Sequence, residues 1–91
     1  MPTGPSLSDD ALRTRACTFM DNGNLPLAIT TRLHASYGAH NSCILCGEAI
    51  TPQHIEYEVN DPRDRKRLLF HVRCHHEWQL ACLHRTFALS P

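Results

Sequence analysis

The sequence predicts a small α+β domain: an N-terminal helix, a connecting segment, a β-hairpin and a long C-terminal helix. Three observations carry that expectation. Apolar residues recur at helical spacing between residues 8 and 21. Apolar and charged residues alternate from His54 to Asn60, ahead of a turn and a second short apolar run. No Gly or Pro interrupts residues 72–89.

Taken in order, residues 1–7 are expected to form a flexible lead-in rich in Pro, Gly and Ser. Ser8 is a candidate N-cap, with Asp9 and Asp10 placed where the helix dipole favours negative charge. Leu12, Ala16, Phe19 and Met20 form one apolar face of a helix over 8–21, and Asp21-Asn22-Gly23 ends it. Residues 24–42 read as a mixed linker with one short helix, opened by Pro26 and closed by Gly38, with Ile29, Leu33 and Tyr37 on one side. The β-branched run Ile29-Thr30-Thr31 pulls the other way, toward extended chain. Residues 8–42 are thus expected to be a helix and linker packed on the core.

The remaining unit, 43–89, is the more informative. Cys43-Ile44-Leu45-Cys46-Gly47 has the form of a metal-binding knuckle, in which Gly47 supplies the positive φ of a tight turn. Ile55, Tyr57 and Val59 are expected to face inward on a strand, with Glu56 and Glu58 outward. Asp61-Pro62-Arg63-Asp64 reads as a turn, and Lys66–His71 as a returning strand with Leu68 and Phe70 inward. On the final helix Cys74, Trp78, Ala81, Cys82 and Arg85 share one side; Val72, His76, Leu80, Leu83 and Phe87 share another. A helix apolar on more than one face is expected to pack between the hairpin and the first helix.

Composition constrains function only loosely. Nine Lys and Arg balance nine Asp and Glu across 91 residues, so net charge points neither toward nucleic acid nor away from it. No apolar run approaches the roughly 18 residues of a membrane span. Met1-Pro2-Thr3-Gly4-Pro5-Ser6 has neither the basic nor the apolar region of a secretory signal. A cytoplasmic protein with reduced thiols is therefore expected, and the odd count of five cysteines agrees.

The chemistry-bearing pattern is Cys43-x2-Cys46-x24-His71-x2-Cys74. Two short-spaced pairs on either side of a hairpin can converge into a tetrahedron of borderline and soft ligands, which suits one structural Zn²⁺. His75 is a poorer fourth ligand than His71, because it follows Cys74 by one residue and points elsewhere on a helix. A Cys3His set is closed and electron-rich, so no catalytic residue and no enzymatic activity are expected. Knuckle, hairpin and a helix whose first turn carries the last ligand form a treble-clef arrangement.

The order and spacing of these ligands resemble the first zinc half of LIM domains. The string CILCGEAI…IEYEV…LLFHVRCHHEW is also similar to short uncharacterised bacterial proteins with a Cys-x2-Cys-Gly knuckle and a His-x2-Cys-x3-Trp helix. The resemblance covers about residues 43–80. It implies a treble-clef-like, LIM-like zinc domain and, from the LIM side, a role in protein–protein contact. The second LIM metal site has no counterpart, since Cys82 and His84 form a lone pair. HNH-type nucleases share the Cys-x2-Cys-Gly knuckle too, but Gln53 stands where an acidic residue should precede His54.

Trp78, one turn after Cys74, is expected to pack over the metal site and shield its thiolates. Cys17 and Cys82 are expected to fill core space, and His76 and His84 to be ordinary helix residues. Arg63, Arg65, Lys66, Arg67 and Arg73 form the one basic cluster. Two roles follow from these residues: an adaptor module binding a protein partner, or a nucleic-acid module holding phosphates through that cluster.

Overall fold

In the computed structural model, residues 7–27, 33–63 and 65–89 are described, apart from the side chains of 85–89. The lead-in at 1–6, Ile29-Thr30-Thr31, Asp64 and the side chains of Arg85 and Phe87 lie outside the described residues. Helix α1 spans Asp9–Asp21. Ser8 is extended, and its hydroxyl accepts the Ala11 N–H at 3.2 Å, which satisfies one of the free donors of the first turn. Leu12, Ala16 and Met20 are its buried stripe, and Gly23 follows the helix at φ 86°.

Five strands follow: β1 (Leu33–Tyr37), β2 (Asn41–Ser42), β3 (Ala49–Ile50), β4 (Ile55–Asn60) and β5 (Arg67–His71). They form an antiparallel three-stranded sheet in the order β1-β4-β5 and a separate two-stranded ladder of β2 and β3. The connecting segment therefore holds a strand at Leu33–Tyr37 in place of the expected short helix. A single helical turn or two is marginal in water. Pairing with β4 along the whole strand, from Leu33↔Val59 to Tyr37↔Ile55, gives the same backbone a ready-made partner.

The β4–β5 hairpin turns as expected. The Asp61 N–H donates to the Lys66 carbonyl and the Arg65 N–H to the Asp61 carbonyl, both at 2.8 Å, with Arg65 in the left-handed region at φ 62°. Directly paired residues share a sheet face, so Tyr57 and Val59 lie beside Phe70 and Leu68. That face carries the core: Val59, Leu68 and Phe70 are buried.

Two residues of β4 depart from the expected alternation. Ile55 is exposed, because it starts the strand opposite Tyr37 of the outermost strand. Glu56 is buried instead. It lies across from His71 on the opposite face, where the β2–β3 hairpin packs and the Asn41 side-chain amide donates to its carboxylate at 3.3 Å.

Helix α2 (Val72–Leu89) follows β5 without a connecting residue. Cys74, Trp78, Ala81 and Cys82 are buried, as the first of its two apolar sides requires. The second side is covered only in part: Val72, His76 and Leu83 are exposed and Leu80 is half-buried. The reason lies in α1, which packs along a single side of α2. Asp9 pairs with Arg73, and Arg13 with Glu77 at 2.9 Å, while further along the Cys82 thiol lies 3.6 Å from the Met20 sulfur. Contacts that climb both helices together mean that α1 and α2 run in the same direction. Among the described residues, no helix is long and apolar enough to cross a membrane.

Candidate metal centre

The site assembles from two local structures that the sequence builds independently. In the first, β2 and β3 pair as Asn41↔Ile50 and Ser42↔Ala49, and the chain between them folds into a tight knuckle. The Cys43 N–H donates to the Glu48 carbonyl, and the Gly47 N–H donates back to the Cys43 carbonyl, each at 2.9 Å. Gly47 sits at φ 80°, where a β-carbon would be strained. The turn brings both thiols to one side. The Glu48 N–H also points at the Cys46 sulfur at 3.5 Å, which favours its thiolate.

The second structure is the junction of β5 and α2. His71 is the last residue of the strand and Cys74 lies in the first turn of the helix, so a change of backbone periodicity turns both side chains toward the knuckle. The Ile44 N–H donates to the Leu69 carbonyl at 2.8 Å and holds the knuckle against β5. Arg15 of α1 adds a bond from its guanidinium to the Leu45 carbonyl.

Cys43, Cys46, His71 and Cys74 thus converge, with one ligand atom from each lying within 4.8 Å of every other. His71 Nδ1 is 3.4 Å from the Cys46 sulfur and 3.9 Å from the Cys74 sulfur. A tetrahedral ion with bonds of about 2.0–2.3 Å sets its ligand atoms about 3.6–3.8 Å apart, so the cluster can hold a metal ion with little adjustment. The far ring nitrogen of His71, Nε2, lies 3.3 Å from the Ala49 carbonyl. A carbonyl only accepts, so the proton sits on Nε2 and the Nδ1 lone pair faces the sulfurs. This arrangement orients a metal-binding histidine.

The three thiols shift one another's titration. A hydrogen bond from Cys74 lowers the Cys43 thiol to about 4, helped by backbone donors. Burial raises Cys46 to about 11. Cys74 is also raised, first by the bond it gives to Cys43 and then by burial. Crowding and burial oppose ionising all three thiols together, and a divalent ion among them would remove that repulsion.

The other expected site residues fall in distinct places. Trp78 is fully buried, stacked on Phe70 with ring centroids 5.1 Å apart, and its indole N–H donates to the Pro26 carbonyl at 3.2 Å. His75 stays out of the cluster. It meets Tyr57, Phe70 and Trp78 edge-on, and burial lowers its pKa. Cys17 is half-buried, Cys82 is buried, and His76 and His84 are exposed.

The basic cluster does not stand free of acids. Arg63 pairs with buried Asp61 at 2.7 Å, Arg67 with Glu58 at 3.3 Å and Arg73 with Asp9, while Arg65 and Lys66 are exposed on the turn. Of the two glutamates on β4, Glu58 alone takes the expected pairing with an arginine, since Glu56 turns to Asn41.

Groups around the cluster that sequence reasoning misses include the Ala49 carbonyl, the Glu48 N–H and the His54 ring. The first two are backbone groups with no side-chain signature. His54 meets His71 edge-on at 5.4 Å, with Nδ1 3.2 Å from the Thr51 hydroxyl and Nε2 buried without a hydrogen-bond partner. No family model, curated protein or solved structure matches the chain, and the site is characterised by its own geometry.

Proposed function

We propose that Cys43, Cys46, His71 and Cys74 hold one structural zinc ion, and that the chain is a non-enzymatic, treble-clef-like module that binds a protein partner. The observation that carries this reading is the closed cluster: four side chains with one ligand atom each within 4.8 Å of every other, three of them buried. Such a set fills the coordination sphere of zinc and leaves no position for water or substrate. Three thiolates also donate enough charge to make the ion a weak Lewis acid. The metal's contribution is then to folding, because its binding energy is gained only when knuckle and helix come together.

The nucleic-acid alternative rests on Arg63, Arg65, Lys66, Arg67 and Arg73. Ion pairs from Asp61, Glu58 and Asp9 leave that cluster less charge for phosphates, which favours a protein partner. Elemental analysis of protein purified without added metal tests the first half of the reading. One zinc per chain, with loss of amide dispersion on chelation, is expected; a metal-free protein that stays folded overturns it. For the second half, the metal-loaded chain is titrated with DNA and RNA at low salt. Retention that weakens steeply with salt replaces the adaptor reading with the nucleic-acid one.

A further inference from the structure

Strand β1 is the outermost strand of the three-stranded sheet, and all five of its residues are exposed. Its hydrogen-bonding pattern follows from one contact just beyond it. The Gly38 N–H donates to the His54 carbonyl at 3.0 Å, and Gly38 is in register with His54 if the β1–β4 pairing is continued by one step. Antiparallel ladders alternate, so Ser36 and His34 bond toward β4. The N–H and C=O groups of Leu33, Ala35 and Tyr37 therefore face away from the sheet. Among the described residues no strand covers them.

Proteins usually defend such an edge with lysine, proline, an inward charge or a bulge. Leu33-His34-Ala35-Ser36-Tyr37 contains no Lys, Arg, Asp, Glu or Pro. The side chains of Leu33, Ala35 and Tyr37 share the sheet face of Val59, Tyr57 and Ile55. Leu33 is 44%, Tyr37 76% and Ile55 39% exposed, so an apolar strip runs along the open edge.

What distinguishes this strand is its symmetry. Read from either end it runs bulky apolar, polar, small, polar, bulky apolar. We propose that β1 is a self-pairing edge, through which two copies of the chain join antiparallel about Ala35 into one continuous sheet. In that register Leu33 faces Tyr37 of the second copy, His34 faces Ser36, and Ala35 faces Ala35. All three outward residues of each strand then meet outward residues of the other, which no other two-fold register achieves. Each of those pairs exchanges two backbone bonds. The small alanine lets the strands approach at the axis, and the Leu–Tyr pairs on either side cover the apolar strip. A charged peptide would leave this uncharged edge without a complement, whereas a second copy matches it group for group.

The pairing involves a different surface from the metal cluster and stands whether or not the adaptor reading holds. Five residues a side place it at the weak end of specific interfaces, with dissociation expected at about 10–100 µM. The test is the mass of the metal-loaded full chain by sedimentation, from about 5 µM to about 1 mM, a range that brackets that affinity. Mass should rise from one chain to two. Ala35→Lys and Ala35→Glu should each stay single, and an equimolar mixture of them should pair, since the two substituted positions face each other across the axis. Ala35→Pro should stay folded and single, because the N–H it removes faces outward. A single-chain mass across the whole range overturns the proposal. So does a dimer that persists in Ala35→Lys alone, or a mixture that fails to pair while both variants retain native amide spectra.

Discussion

Replacing Cys74 and Cys82 by serine, one at a time, separates a metal ligand from a core thiol with the same chemical change on the same helix. Both residues are buried, at 0% and 4% exposure. Cys82 lies against Met20, so a serine there puts a hydroxyl into apolar surroundings and costs about 1–3 kcal/mol. Cys74 is one of the four cluster residues proposed to hold zinc, an ion whose apparent binding energy in zinc-finger peptides is about 10–16 kcal/mol. An even share is about 2.5–4 kcal/mol, and a hydroxyl recovers little of it because it stays protonated at neutral pH. A three-ligand site that loses the ion altogether forfeits the whole of that binding energy, which is comparable to a total stability of about 5–14 kcal/mol for 91 residues, and the chain unfolds. Urea unfolding of the metal-loaded protein is the assay, read by the emission of Trp78, the sole and fully buried tryptophan. Metal content of each variant is measured alongside. Cys82→Ser should keep a full metal complement and a modestly lower midpoint; Cys74→Ser should lose both metal and cooperative transition. Equal midpoints, or a full complement of metal in Cys74→Ser, would refute the ligand assignment.

Further expectations concern protons and packing. Because chelation is expected to unfold the chain, the three cluster thiols start protonated at pH 7, and metal loading there should release about three protons per ion, measured by calorimetry in buffers of different ionisation enthalpy. Release near zero would mean that the sulfurs are not the ligands. Arg63 donates to Asp61 and holds its carboxyl below the ordinary 3.8. A lowered carboxylate stabilises the fold above its unfolded value, and that stability is lost as pH falls through the folded one. Asp61→Asn should therefore cost about 1–2 kcal/mol at pH 7, and the gap to the parent protein should begin to narrow below about pH 4 and close as pH falls through the lowered folded value. A gap independent of pH would show that packing, not charge, holds this turn. Gly38→Ala should destabilise by about 1–3 kcal/mol or more, since the added carbon would lie 2.2 Å from the Thr51 carbonyl oxygen and 2.3 Å from that of Ile50. A melting temperature unchanged by that substitution would contradict the close crossing of the chain at this point.

Local chemistry made much of this architecture readable in advance. Ser8, Asp9 and Asp10 mark the start of α1 because capping is satisfied within one turn. The knuckle, the Leu68 and Phe70 positions and the buried side of α2 are likewise encoded over a few residues each. What escaped reading depends on distant partners. Nothing within Leu33–Tyr37 announces a strand, because its order comes from β4, whose paired residues lie 18 to 26 positions away in sequence. Burial of Glu56 depends on where the β2–β3 hairpin lands, and exposure of Val72 and Leu83 on α1 covering only one side of α2. The four cluster residues were legible as a set. Their pairing with the Ala49 carbonyl was not, since a backbone acceptor has no letter in the sequence.

The four ligands are not buried alike. Cys43, His71 and Cys74 are enclosed, while Cys46 is half-open to solvent. The consequence is kinetic and directional. With the proposed ion bound, a competing thiol or chelator would approach through Cys46 while the other three residues keep their grip, so exchange would proceed by stepwise substitution from one side rather than by opening the fold. The tightness with which that ion is held and the speed with which it is handed over would thereby be set by different residues, the first by the enclosed three and the second by the one at the surface.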